Sequence, residues 1–261
     1  MDDYIVDGLL YCGKCHTPKQ CRVKLWNGDI MTPFCLCKCE HERLMREESE
    51  RKKEEAMDKI RELKRMGFPD SELEECTFEK DDHKNETVSV MARNYVDHFD
   101  EMKSKGLLLY GSVGTGKTFI SACIANSLIE RGYPCLVTNF SRLINTLQGM
   151  YQGKQQYMDR LNKFKLLVID DLASERNTEY ANEIVQAIID QRYRSGLPMI
   201  ITTNLTADEL KHPSDIRKQR IYSRLFEMCI PIEVNGKDRR VEKLKGDYME
   251  ITKKLGVYKN G

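Results

Sequence analysis

Hydrophobic residues along the chain alternate between two patterns. Short, largely apolar runs occur at residues 107–110, 135–139, 166–170, 199–204 and 229–234, the middle three ending in a polar residue, and each predicts a buried strand. Between them, apolar positions recur at three- and four-residue spacing. Ile120, Cys123, Ile124 and Leu128 predict a helix over 119–131, residues 140–150 predict another, and Ile184, Val185, Ile188 and Ile189 predict one over 177–195 that Gly196 stops. Upstream, Val90, Met91, Tyr95 and Phe99 mark one side of a helix over 86–99. Downstream, residues 214–228 read as a basic helix with Arg217, Lys218, Arg220 and Arg224. Strands alternating with helices predict an α/β fold, a parallel-rich sheet with helices on both faces.

The amino-terminal part reads differently. Residues 40–65 are dense in mixed charge, without glycine or proline, and carry only a thin apolar line through Leu44, Met45, Ala56, Met57, Ile60 and Leu63. That is a solvated linker helix, ended by Gly67-Phe68-Pro69. Ahead of it lie Cys12, Cys15, Cys21, Cys35, Cys37 and Cys39, six of the chain's 10 cysteines. Two close pairs separated by a loop can close a tetrahedral site around Zn²⁺, which would substitute for a core too small to fold alone. Cys12, Cys15, Cys37 and Cys39 are the expected ligands, with Cys35 competing for the place of Cys37. Four thiolates leave no open position, so the metal is structural, and the knob could present Leu25, Trp26 and Phe34 to a partner. Three parts are expected: a zinc-binding domain over 1–39, a charged linker over 40–70 and an α/β domain over 71–261.

Composition adds little but excludes some classes. With 42 basic and 41 acidic side chains there is no whole-protein field for nucleic acid, so a DNA contact would need a local patch. No apolar run is long enough to span a membrane, and the first residues are acidic where a secretion signal is basic, so the expected location is the cytoplasm.

The chemistry concentrates where the 107–110 strand meets the following helix. Gly111-Ser112-Val113-Gly114-Thr115-Gly116-Lys117-Thr118 fits G-x-x-x-x-G-K-[ST] and has the strand before it and helix after it that this phosphate-binding loop requires. Its backbone amides would wrap the phosphates of ATP, Lys117 would reach the β- and γ-phosphates, and Thr118 would offer a hydroxyl to Mg²⁺. The run Leu166-Leu167-Val168-Ile169-Asp170-Asp171 has the form of a Walker B strand, placing Asp170 beside the magnesium and Asp171 where it can orient or deprotonate water. Asn204, at the end of the next strand, could hydrogen-bond the γ-phosphate or that water. Phe78 is a candidate neighbour of the adenine, with a plain core contact the other possibility.

Taken together, GSVGTGKT, LLVIDDL, ERNTEYANE, ITTNL and RIYSRLFEMC resemble the bacterial and phage replicative helicase loaders of the DnaC/DnaI type, within the IstB-like branch of the AAA+ ATPases. The resemblance covers residues 74–241, and the cysteine-rich front resembles the zinc-binding domains of some members. It implies that Asn204 is the sensor 1 residue and that Arg224 is an arginine finger completing a neighbouring subunit's ATP site, with Arg220 the fallback and Arg240 a sensor 2 candidate. It also implies ATP-dependent delivery of a hexameric replicative helicase to single-stranded DNA, with self-association through Arg224. Lys154, Tyr157 and Arg160 are candidate DNA contacts, pairing backbone charges with a stacking ring. Most AAA+ proteins place Glu where this chain has Asp171, so slow hydrolysis is expected. A transposition helper of the IstB type, or an ATP-gated adaptor without DNA contact, are the alternatives.

Overall fold

The computed structural model describes residues 2–102, 104–173, 178–213, 215–241, 248, 251–252 and 254–255. The chain divides into two compact units, Met1–Lys59 and Ile60–Gly261.

In the first unit, β1 (Tyr4–Val6) and β2 (Leu9–Tyr11) form a hairpin, and β3 (Val23–Lys24) and β4 (Ile30–Met31) form a second. Asp7 and Gly8 turn the first at φ 50° and 74°, the paired left-handed backbone that suits the twist of a two-residue hairpin. Helix α1 (Lys38–Gly67) then begins inside the cysteine cluster, with Cys39 in its first turn, so the expected boundary between 39 and 40 falls within a helix. Its middle is solvated as expected, with Met45 and Met57 exposed.

The last turns of α1 belong to the second unit, where Ile60 and Leu63 pack into its core. Gly67 does more there than end a helix, because a Cβ on it would lie 2.5 Å from the carbonyl oxygen of Cys135. After the short α2 (Ser71–Glu74) and a 3₁₀ turn at Phe78–Lys80 comes α3 (Glu86–Asp97). The inner face of α3 is Val88, Ala92, Tyr95 and Val96, whereas Val90 is exposed. The 88-92-95-99 series keeps the helical period and continues to buried Phe99, which leaves Val90 on the flank.

The sheet comprises β5 (Gly106–Tyr110), β6 (Cys135–Asn139), β7 (Leu166–Leu172), β8 (Met199–Thr203) and β9 (Cys229–Glu233), all parallel, in the order β6-β7-β8-β5-β9. Between the strands run α4 (Lys117–Glu130), α5 (Phe140–Gly149), α6 (Lys154–Leu161), α7 (Glu179–Ser195), α8 (Ala207–Lys211) and α9 (Ile216–Met228). Successive strand residues enter opposite cores. Leu107, Leu109, Val168 and Ile200 face α3 and α4, while Leu108, Leu167, Ile169 and Ile201 face the side of α5, α7 and α9. Residues 175–177 of the expected 175–183 motif, and Ser214 at the start of the basic helix, lie outside the described residues.

Candidate functional site

Gly111–Thr118 leaves the carboxyl end of β5 and enters α4 directly. Gly111, Gly114 and Gly116 all have positive φ, at 130°, 76° and 99°, which accounts for glycine at these turns. The first intrahelical bond runs from Ile120 N–H to Gly116 O, so the amides of the first turn remain available to an anion. Lys117 is buried and folds back on the loop, its Nζ donating to Gly111 O at 2.8 Å and Ser112 O at 2.6 Å. Burial holds its pKa below the ordinary lysine value, against the pull of Asp170 and Asp171.

A cavity of about 480 Å³ opens over this loop. Its lining includes Gly114 to Phe119, the group Asp170, Asp171, Thr202 and Asn204, and Leu73, Cys76, Lys80 and Asp82. Thr118 donates its hydroxyl to the Asp170 carboxylate, 2.8 and 3.1 Å from its two oxygens. These hard oxygen donors, beside a loop shaped for phosphate, fit magnesium. Asn204 Nδ2 donates to Asp171 Oδ1 at 3.0 Å, as expected of strands that are neighbours in the sheet.

Of the other candidates, Phe78 takes the core contact rather than a place beside the cavity, Tyr157 departs from the sequence reading, and Arg224 lies outside its own chain's cavity. Phe78 is buried in the core under the Arg93 guanidinium, 4.6 Å from its ring centre, and Cys76 lines the cavity instead. Tyr157 packs against the core beneath α6, so it is no free stacking ring; Tyr151 is the fully exposed tyrosine of this stretch, and Lys154 lies over the ring of Tyr180. Arg224 is outside the cavity lining, on α9, paired with Asp190 of α7. Arg220 is exposed on the same helix.

Sequence reasoning also missed how the stretch after β9 returns to the loop. Arg239 N–H donates to Gly114 O at 3.0 Å, its guanidinium lies 2.9 Å from Asp82, and both Arg239 and Arg240 line the cavity. Arg240, the expected sensor 2 candidate, is thus at the cavity, and the residue the sequence reading left out is its neighbour Arg239.

In the first unit, the Sγ atoms of Cys12, Cys15, Cys37 and Cys39 all lie within 4.8 Å of one another, which selects Cys37 over Cys35. The Cys12–Cys39 and Cys37–Cys39 separations are 3.6 and 3.5 Å. A tetrahedron with Zn–S bonds of about 2.3 Å has edges of about 3.8 Å, so the cluster fits zinc. The Thr17 hydroxyl lowers the Cys15 thiol to about 5, while three neighbouring thiols raise Cys39 to about 12. A dication would relieve that mutual repulsion.

Among the described residues, no helix is long and apolar enough to cross a membrane. The replicative helicase loader DnaI of Bacillus subtilis is 31% identical over 151 residues, 53% of this chain and 48% of the relative. The replicative helicase loader DnaC of Escherichia coli K12 is 28% identical over 123 residues, 46% of this chain and 50% of the relative. The chain thus spans about half the length of these curated relatives. A crystal structure of DnaI superposes with a TM-score of 0.56 at 26% identity, covering 68% of this chain and 98% of that one, and the shared fold is that of the AAA+ P-loop ATPases. The family model of the IstB-like ATP binding proteins matches residues 38–245, and the chain belongs to that family.

Proposed function

We propose that the chain binds ATP with magnesium in this cavity, hydrolyses it slowly under partner control, and delivers a replicative DNA helicase to single-stranded DNA. The observation that carries the reading is the meeting, in one cavity, of Gly114–Thr118 with Asp170, Asp171 and Asn204. The loop amides wrap the phosphates, and Lys117 exchanges the carbonyls of Gly111 and Ser112 for phosphate oxygens. Thr118 and Asp170 hold magnesium, which supplies charge neutralisation when bound. Asp171 receives the proton of the attacking water and Asn204 keeps its carboxylate aligned. Arg239 or Arg240 answers the phosphate charge from the opposite side.

Arg224 acts in trans. It does not line its own chain's cavity, which agrees with a finger offered to a neighbouring subunit. The cysteine cluster holds structural zinc and displays Trp26 and Phe34, both exposed, to the helicase. Lys154 and Arg160 follow the strand's phosphates, with Tyr151 the ring available for stacking. The names of the relatives, replicative helicase loaders, support this choice over a transposition helper.

The full chain presented to the immobilised hexameric helicase of the source organism, with and without ATP, tests the reading. Capture that changes with ATP, together with preference for single over double strands across a salt series, is expected. Duplex preference without helicase capture would transfer the chain to the transposition class. ATP binding with no DNA contact would leave the adaptor.

A further inference from the structure

The carboxyl end of β7 contains a bulge that the site depends on. β7 and β8 pair in register as far as Ile169↔Ile201, and pairing resumes at Leu172↔Thr203. Two residues of β7, Asp170 and Asp171, therefore oppose one residue of β8, Thr202. In a regular strand, consecutive side chains point to opposite faces. The bulge is what lets both carboxylates line one cavity. Within the bulge Asp171 has φ 64°, left-handed backbone that residues other than glycine hold only where their surroundings impose it.

We infer that Thr202 is a positioning residue that latches this bulge and aims both carboxylates, an inference that rests on the cavity being the ATP hydrolysis site proposed above. The residue is 2% exposed and its hydroxyl touches both bulged residues. Oγ1 accepts the Asp171 N–H at 2.9 Å, replacing the ladder partner that the register shift removes. The same hydroxyl donates to Asp170 Oδ1 at 2.5 Å. Asp170 is thus held from two elements, by Thr118 in the first turn of α4 and by Thr202 on β8. Thr203 closes the far side of the bulge, donating to Leu172 O at 2.8 Å. The latch acts on the geometry of Asp170 and Asp171; Thr202 needs no contact with nucleotide.

Thr202→Val keeps the β-branched shape and removes the hydroxyl, and Thr202→Ser keeps the hydroxyl. Expected for the valine variant is ATP hydrolysis reduced at least about tenfold, nucleotide affinity within about threefold, and a higher magnesium requirement, with serine restoring hydrolysis to within about threefold. A second readout is independent of turnover. Hydrogen exchange of the Asp171 amide, followed by NMR, is slow in the parent and in the serine variant and at least about tenfold faster in the valine variant. Parental hydrolysis in Thr202→Val, equal losses in both variants, or a rapidly exchanging Asp171 amide in the parent would each overturn the latch. If the parent hydrolyses no ATP, the reading of the cavity fails, and the amide measurement alone decides the role of Thr202.

Discussion

Asp171 carries its carboxylate on one methylene where most AAA+ proteins use two, and Asn204 engages that carboxylate directly. A short arm set by a left-handed backbone has little freedom to advance on a water molecule, which is the physical ground for the slow turnover proposed above. Asp171→Asn keeps the shape and the contact with Asn204 but removes the proton acceptor. Hydrolysis should fall about 10²-fold or more while nucleotide affinity stays within about threefold, the split expected of a group used only in the transition state. Single-turnover hydrolysis alongside equilibrium binding of a fluorescent ATP analogue measures both. Undiminished hydrolysis would take Asp171 out of the chemistry.

At the scale of elements, Arg192 of α7 has the same standing for the sheet that Thr202 has for the site. The residue is 1% exposed, and no carboxylate pairs with it among the described residues. Its guanidinium donates to the carbonyls of Phe164 and Lys165 at 3.0 Å each, Leu161 at 3.4 Å and Pro198 at 2.8 Å, pinning the entries of β7 and β8. Burial lowers its pKa to about 10, so it remains charged at neutral pH. Arg192→Met would leave several buried carbonyls unpaired, costing about 3 kcal/mol or more. For a unit of this size that is a fall of roughly 6–12 °C in Tm, readable by calorimetry. The sheet itself was legible because each strand is a short, largely apolar run, and so was the phosphate loop at the cavity, because the Gly111 to Thr118 motif is contiguous in sequence. Less local features were not. The hairpin strands are two or three residues long and mostly exposed, so they leave no period to detect. Leu166 to Leu172 reads as uninterrupted strand, since a bulge is set by the partner strand's register. Arg239 reaches Gly114 only because β9 lies beside β5. Nothing in the helical pattern of 177–195 marks Arg192; its burial depends on the turns that fold over it.

The whole molecule joins parts held by different forces. In the first unit, the hydrophobic residues buried among the described ones are Cys12 and Cys37, while Trp26 is 98% exposed, so the metal ligation proposed above would take the place of a core. Stripping zinc from the full chain with a strong chelator should abolish hydrogen-exchange protection over residues 4–31 and leave the five-stranded sheet protected. The chain's single tryptophan, being exposed, should scarcely report the change. The second unit poses the opposite problem, because its cavity collects a loop, two carboxylates and Asn204 but not Arg224. Arg224 and Asp190 pair across α9 and α7, where a neighbouring chain's γ-phosphate would have to displace the aspartate. Lys117→Ala should disable a chain's own phosphate loop, and Arg224→Ala the finger it offers its neighbour. Each variant alone should be inactive in ATP hydrolysis, yet an equal mixture should recover about one quarter of parental activity, since random assembly places an intact loop beside an intact finger about that often. Recovery that peaks near equal mixing would establish a shared site. A mixture that never rises above either variant alone, at any ratio and at concentrations where the chains associate, would return Arg224 to the surface as one member of an ion pair.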